Sequence, residues 1–142
     1  MANTILVPID GSEHARKALS VAIEEFGDAE LIVLHVIEPY NVFSVTENAA
    51  RDDEVLEERR AERAALLEES REFAADRGAT VRTELMLGSP SRAIVDACDE
   101  FDVDHVVMGS RGRTGLSRLV LGSVADTVVK RAPTTVTVVR SP

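Results

Sequence analysis

Apolar and polar positions along the chain fall into short β-branched runs that alternate with longer stretches of helical spacing. The runs predict five strands, and the first, second and fourth are almost continuously apolar. Such strands are typical of a parallel sheet that is covered on both faces. The third strand alternates between apolar and polar positions and is expected to be less buried. The five predicted strands span residues 4–9, 31–37, 80–87, 103–108 and 135–139.

Four segments between the strands show helical spacing. The first begins after Ser12, which is a good N-cap, and the last ends before Pro133. The third begins at Ser89 and Pro90, a cap residue followed by proline at the first helical position. The second, residues 53–77, is heavily charged in its first half and carries its apolar stripe late. Its charged half is most simply a solvated face, and a partner-binding role is left open.

The alternation of strands and helices predicts the fold class. Five strands joined by helices predict an α/β fold with right-handed crossovers: a single doubly wound domain over residues 1–142, with a five-stranded parallel sheet in the order 3-2-1-4-5 and helices on both faces. Ligands bind such sheets at the carboxyl ends of the strands, where the strand order reverses. Attention therefore falls on residues 8–12 and on the segment from Gly109 onward.

Composition narrows the class of protein. Hydrophobic residues make up 44% and charged residues 29% of the 142 positions, which is ordinary for a globular protein. No apolar run approaches the roughly 18 residues of a membrane helix, and no signal peptide precedes the first strand. Cys98 is the lone cysteine, which excludes an intrachain disulfide. These features together predict a cytoplasmic protein without membrane association.

Charge bears on the partners and on the host. The formal net charge is −9, which argues against binding to nucleic acid or to anionic membranes. Lys17 and Lys130 are the only lysines. An acid-rich, lysine-poor surface is compatible with a salt-loving host, and a GC-rich genome would give the same bias toward arginine. A melting temperature that did not rise in molar KCl would argue against the halophilic interpretation.

A glycine-rich segment after the fourth strand is the candidate chemical site. It reads Gly-Ser-Arg-Gly-Arg-Thr-Gly over residues 109–115, and Gly-Ser-Val at 122–124 opens the last helix. Glycines let backbone N–H groups approach a phosphate, and the first amides of a helix favour an anion. A simpler alternative is that the glycines only turn a tight connection. The segment is neither a P-loop nor a dinucleotide fingerprint, because it lacks the Lys-Ser/Thr pair and follows the wrong strand.

The same residues resemble the ATP-binding signature of the universal stress protein family. That signature is seen here as Gly109-x-x-Gly112, nine residues, then Gly122-Ser123. The similarity covers essentially the whole chain, including the end of the first strand, Pro8-Ile9-Asp10-Gly11-Ser12. The family has a branch that keeps the signature and a branch that has lost it, and this chain keeps every position. The resemblance implies ATP, or ADP or AMP, with Mg²⁺ as the ligand, and a homodimer that pairs through residues 135–139.

The resemblance also implies a role for individual residues. Asp10 would meet the ribose or the bound metal, although a plain turn role for this aspartate stays open. Val36 would contact adenine through its backbone, and Gly109 would flank the ribose. The phosphates would be held by Gly112, Arg113, Gly122, Ser123 and Val124, and the candidate site also includes Pro8, Ile9 and Met108.

Three functions follow from these observations. The leading one is a nucleotide-binding stress or signalling module, in which occupancy changes dimerisation or a partner surface. The second is a slow ATPase or phosphotransferase, for which the arginines supply cations but no residue identifies itself as the group that positions the nucleophile. The third is an interaction protein that does not bind nucleotide. A triad of Asp10, Ser12 and His14 is not expected, because triad members normally converge from separate segments.

Overall fold

The computed structural model describes residues 3–38, 49–110 and 121–140. Within them, five parallel strands form one sheet in the order β3-β2-β1-β4-β5, and helices lie on both faces. The predicted doubly wound α/β fold is therefore confirmed. The elements in chain order are β1 (Thr4–Ile9), α1 (Glu13–Phe26), β2 (Glu30–Ile37), α2 (Ala49–Ala75), β3 (Val81–Leu87), α3 (Pro90–Glu100), β4 (His105–Ser110), α4 (Ser123–Arg131) and β5 (Thr135–Arg140).

Two hydrophobic cores lie on opposite faces of the sheet. Ile5 and Val7 of β1 point toward the core shared with α1 and α2. Leu6, with Ile32 and Leu34 of β2, points toward the core shared with α3 and α4. Successive strand residues alternate between the two faces, so a strand that is covered on both must be apolar throughout. This explains why β1 and β2 read as continuous apolar runs.

The start of β4 differs from the sequence prediction by two residues. Val103 is buried, but it belongs to the turn that ends α3, where its N–H donates to the carbonyl of Cys98 at 2.9 Å. Asp102 has a φ of 51°, the left-handed conformation of a Schellman turn. The apolar run therefore contained a helix-capping residue. At its other end β4 includes Gly109 and Ser110, which the sequence assigned to the loop.

Helix α2 is the longest element and packs unevenly. Among its described side chains, the buried ones are Leu67, Ser70 and Ala74, which lie in the C-terminal half, as the late apolar stripe predicted. The Ser70 hydroxyl donates to the carbonyl of Leu66 at 3.2 Å, so this buried polar group is satisfied. None of the described helices, α2 included, has an apolar stretch long enough to cross a bilayer.

The two edges of the sheet differ in character. At one edge Leu87 of β3 is 43% exposed, which agrees with the expectation of a less buried third strand. At the other edge β5 is tied to β4 through side chains as well as backbone. Thr137 Oγ1 lies 2.6 Å from His105 Nε2, and the Thr134 hydroxyl donates to the carbonyl of Asp104. The threonines of this segment therefore fix β5 in place beside β4.

Candidate functional site at the carboxyl ends of the strands

A cavity of about 380 Å³ opens at the carboxyl ends of β1, β2 and β4. It lies where the strand order reverses between β1 and β4, which is the position that the topology predicts for a ligand. Its volume is within the range of small-molecule sites.

Most of the predicted site residues meet in this cavity. They come from three separate parts of the described chain, namely the end of β1, the end of β2 and the β4–α4 corner. Gly112 and Arg113, the two remaining predicted residues, lie outside the described residues. Those that line the cavity are Pro8, Ile9, Asp10, Val36, Met108, Gly109, Gly122, Ser123 and Val124.

The corner between β1 and α1 is built from three consecutive residues. The Asp10 Oδ1 atom accepts a hydrogen bond from the Ser12 N–H at 2.9 Å, which forms an Asx turn. Gly11 has a φ of 86°, a conformation that glycine adopts without strain. The Ser12 Oγ atom accepts from the Ala15 N–H at 3.2 Å and caps α1. The turn role of Asp10 is thus real, and it directs the aspartate to the rim of the cavity.

Gly109 has a packing role that the glycine-rich motif did not reveal. A Cβ atom at this position would lie 2.5 Å from the carbonyl oxygen of His14 in the first turn of α1. The contact is with backbone, which cannot rotate out of the way. Glycine therefore allows the start of α1 to lie directly against the end of β4.

His14 also lies in the wall of the cavity. Its Nδ1 atom is buried and has no hydrogen-bond partner within the described part of the chain. The Ser12 hydroxyl is engaged with the Ala15 amide, so the hydrogen bonds that a triad requires are not made between these residues.

The corner between β4 and α4 presents backbone amides to the cavity. Gly122 is the N-cap of α4, and no side chain within the described residues caps this helix. The Gly122 N–H donates to the Ser110 hydroxyl at 3.1 Å, which ties the cap to the end of β4. The next amides, beginning with Ser123, belong to the first helical turn, whose N–H groups have no partner within the helix. Such a terminus attracts an anion through these groups and through the helix dipole.

His35 lies beneath the cavity as a buried neutral imidazole. Its Nδ1 atom is 2.7 Å from the carbonyl oxygen of Ile9, and because a carbonyl only accepts, Nδ1 carries the proton. Burial lowers the pKa of His35 below its ordinary value of 6.5, and the positive charge of Arg63 lowers it further. The bond to Ile9 and the charge of Asp10 act in the opposite direction.

Two arginines of α2 also line the cavity, and the sequence prediction missed them. Arg59 and Arg63 are half-buried there and lie one helical turn apart, and Glu38 also lies in the wall. Their i,i+4 spacing was visible in the sequence. They continue the helical spacing of Leu66, Leu67 and Ser70 toward the N-terminus, but the hydrophobic pattern does not detect them because they are charged residues among other charged residues.

The fold and the site together define the class of protein. A parallel sheet in this order, with a cavity at its switch point, is a doubly wound α/β protein of the kind that accommodates a small ligand. The profile described as "Universal stress protein family" matches residues 1–140. The chain therefore belongs to the universal stress protein family.

Individual relatives match along the whole chain. The universal stress protein YxiE of Bacillus subtilis is 35% identical over 150 residues, covering 99% of this chain and 100% of the relative. The structure of protein MJ0577 of Methanocaldococcus jannaschii superposes with a TM-score of 0.82 at 32% identity, covering 100% of this chain and 98% of the other. A universal stress protein in complex with cAMP superposes with a TM-score of 0.75 at 28% identity, covering 99% and 98% of the two chains.

Proposed function

We propose that this protein is an ATP-binding stress-response or signalling module of the cytoplasm, in which nucleotide occupancy tunes dimerisation or the binding of a partner. The observation that carries the proposal is the uncapped N-terminus of α4, which opens onto the cavity beside the end of β4. The cAMP complex of a relative supports it, because that protein binds a phosphate-containing adenine nucleotide.

In this proposal each wall of the cavity binds a different part of the nucleotide. The phosphates lie against Gly122, Ser123 and Val124 at the start of α4, with Gly112 and Arg113 adding further contacts. The base lies near the backbone of Val36, with Pro8, Ile9 and Met108 forming an apolar floor, and the ribose lies near Asp10 and Gly109. All of these residues that the structure describes lie on the cavity wall, and Gly112 and Arg113 lie outside the described residues.

The residues present also fit a magnesium ion that is carried by the nucleotide. Mg²⁺ is held in such sites by one or two carboxylates together with phosphate oxygens and water. Asp10 supplies a carboxylate at the rim, and Glu38 adds a second to the wall. No group of three or more metal-binding side chains occurs within the described ranges, so the ion would depend on the phosphates for most of its ligands.

The proposed homodimer would use the free edge of β5. Within the described residues β5 has a neighbouring strand on one side only and Thr135 is exposed, so its outer edge offers backbone groups to a second copy. Val136 and Val138 are partly buried against the core of their own chain. Antiparallel pairing across a two-fold axis would extend the sheet into the partner. A monomer in light scattering at micromolar concentration would contradict this part of the proposal.

The enzymatic alternative rests on the cations around the cavity. Arg59 and Arg63 could neutralise charge during phosphoryl transfer, which would also need a residue that positions the nucleophile. An ATPase rate well above background that Gly122→Val abolishes would favour this alternative. A failure of the wild-type protein to bind nucleotide would favour a dimeric interaction module.

The test is calorimetric titration with ATP and Mg²⁺ of the wild-type protein and of Gly122→Val. Gly122 has a φ of −61° and a ψ of 158°, which valine adopts readily, so the substitution requires no change of backbone conformation. The valine side chain would stand where the phosphates approach the helix. We expect binding by the wild-type protein and its loss in the variant.

Val129→Ala is the matched control on the same helix. This side chain is 46% exposed and lies away from the cavity lining, so the variant should bind as the wild-type protein does. Equal affinities of Gly122→Val and wild type would place the nucleotide elsewhere. If titration with ATP and Mg²⁺ showed no binding to the wild-type protein, the proposal itself would be overturned.

A further inference from the structure

Beside the cavity, none of the described side chains between residues 54 and 65 of α2 is buried. Between residues 54 and 65, eight of the described side chains are exposed and only Arg59 and Arg63 are half-buried. Apolar burial in α2 begins at Leu66 and Leu67 and continues toward the C-terminus. Burial of an apolar face normally provides most of the stability of a helix in a protein. The described side chains of this half of α2 do not supply that source of stability.

The two half-buried arginines face the cavity, and they have no anionic partner within the described residues. No ion pair or hydrogen bond among those residues involves either guanidinium group. The charge of Arg63 reaches the cavity floor, because it contributes to the lowered pKa of His35. A partly desolvated cation without a partner is unfavourable, so an anion at this position would stabilise it.

The ligand chemistry follows from what the two walls share. The start of α4 offers backbone amides to an anion from one side of the cavity, and Arg59 and Arg63 offer guanidinium groups from another. Guanidinium groups bind phosphate oxygens through paired, charge-assisted hydrogen bonds. A ligand with one phosphate can meet the α4 terminus alone, whereas a chain of phosphates can also reach the arginines.

We infer that Arg59 and Arg63 bind a phosphate of the nucleotide, and that this contact holds the N-terminal half of α2 against the cavity. The inference deepens the proposed function and rests on it. It makes the two arginines determinants of specificity for polyphosphate over monophosphate and uncharged nucleosides. It also makes α2 the element that distinguishes the occupied from the empty cavity.

The first test measures the affinity of three probes, ATP, AMP and adenosine, for the wild-type protein and for the double variant Arg59→Gln/Arg63→Gln. Glutamine retains helix propensity and removes the charge. We expect the ATP dissociation constant to rise at least about tenfold, in line with the loss of charge-assisted hydrogen bonds. The affinity for AMP should fall by a smaller factor, and adenosine should bind the variant and the wild type equally.

Arg60→Gln is the matched control, because Arg60 is the exposed neighbour on the same helix and is absent from the cavity wall. It should leave all three affinities unchanged. An equal loss of ATP affinity in Arg60→Gln would reduce the effect to general electrostatics and overturn the inference. An equal loss of adenosine affinity in the double variant would also overturn it, because the arginines would then contact the nucleoside.

The second test follows hydrogen exchange of the backbone amides of residues 54–65. ATP should slow exchange in this segment of the wild-type protein and of Arg60→Gln, and should have much less effect in the double variant at saturating ATP. Unchanged exchange in wild-type protein that binds ATP would refute the docking of α2. Failure of the wild-type protein to bind any probe would refute the proposed function, which is a separate outcome.

Discussion

The N-termini of α1 and α4 flank the same cavity, yet their first turns are capped differently. The start of α1 is completed by its own side chains: Asp10 accepts from the Ser12 amide, and Ser12 accepts from the Ala15 amide. The start of α4 has glycine at the cap position, and no described side chain accepts from its first turn. Both helices follow a strand at the switch point of the sheet, so topology alone does not explain the difference.

Under the proposed function, the difference separates a structural helix terminus from a binding one. At the capped terminus of α1, side chains of the protein itself accept hydrogen bonds from the amides of Ser12 and Ala15. Helix α1 is further fixed because its first turn lies against Gly109. An uncapped terminus retains N–H groups and a positive dipole end for an anion. Serine at one cap and glycine at the other thus assign the two corners different tasks within one cavity.

The largest effect is expected where α1 meets β4. Gly109→Ala would place a methyl group 2.5 Å from the carbonyl oxygen of His14, and only a shift of the backbone can relieve the overlap. We expect a loss of about 1–3 kcal/mol in the free energy of unfolding, the usual cost of overpacking. Urea denaturation measures it. An unchanged midpoint would show that α1 is not fixed against β4 and would weaken the contrast with α4.

The next prediction compares the removal of the serine hydroxyl at each of these two corners. Ser12→Ala should lower the free energy of unfolding by about 1 kcal/mol, because it removes the cap of α1. Ser123→Ala should change stability by less than about 0.5 kcal/mol, since this side chain is exposed, and should instead weaken ATP binding. Denaturation and calorimetry on both variants provide the comparison. Equal stability losses would mean that both serines act as structural caps.

A smaller effect on stability is expected from giving α4 the cap that it lacks. Gly122→Ser should raise the free energy of unfolding by a few tenths of a kcal/mol, the difference between glycine and serine caps. ATP affinity should fall at the same time, because the serine oxygen would occupy an amide that the phosphate needs. Stability and affinity thus move in opposite directions. A variant that gained both would show that the phosphate does not use these amides.

The sequence predicted the features that depend on local pattern. Apolar runs and caps located the strands and α1, and their alternation predicted a doubly wound parallel sheet. With the strand order 3-2-1-4-5, the switch point then indicated the corner where the cavity lies. The cap of α1 followed from Ser12 alone. The start of β4 did not, because Val103 is apolar for a different reason: it closes the turn after α3.

Features that depend on three-dimensional approach left no such pattern. The position of Arg59 and Arg63 in the cavity wall depends on the way α2 packs, and the buried residues that the structure describes in α2 lie in the other half of that helix. The packing role of Gly109 depends on His14, which is 95 positions away in sequence and in contact only after folding. The glycine-rich motif indicates that Gly109 serves a ligand, but the contact between Gly109 and α1 is seen only in the folded structure.

The last and smallest effect concerns pH at the capped corner, where His35 is bonded to the carbonyl of Ile9 just before Asp10. Burial lowers the pKa of His35 below 6.5, although the bond to Ile9 and the charge of Asp10 offset part of this. Between the folded pKa and 6.5, the unfolded chain binds more protons than the folded chain. Stability should therefore decline as pH falls through this window and be independent of His35 above it.

Urea midpoints between about pH 7.5 and pH 5.5, above the range where most carboxylates titrate, measure the decline. His35→Gln should flatten the profile only partly, because burial also lowers the pKa of His105. A wild-type profile that is level throughout would show that the corner tolerates a charged imidazole, and that its rigidity rests on Ser12 and Gly109 alone.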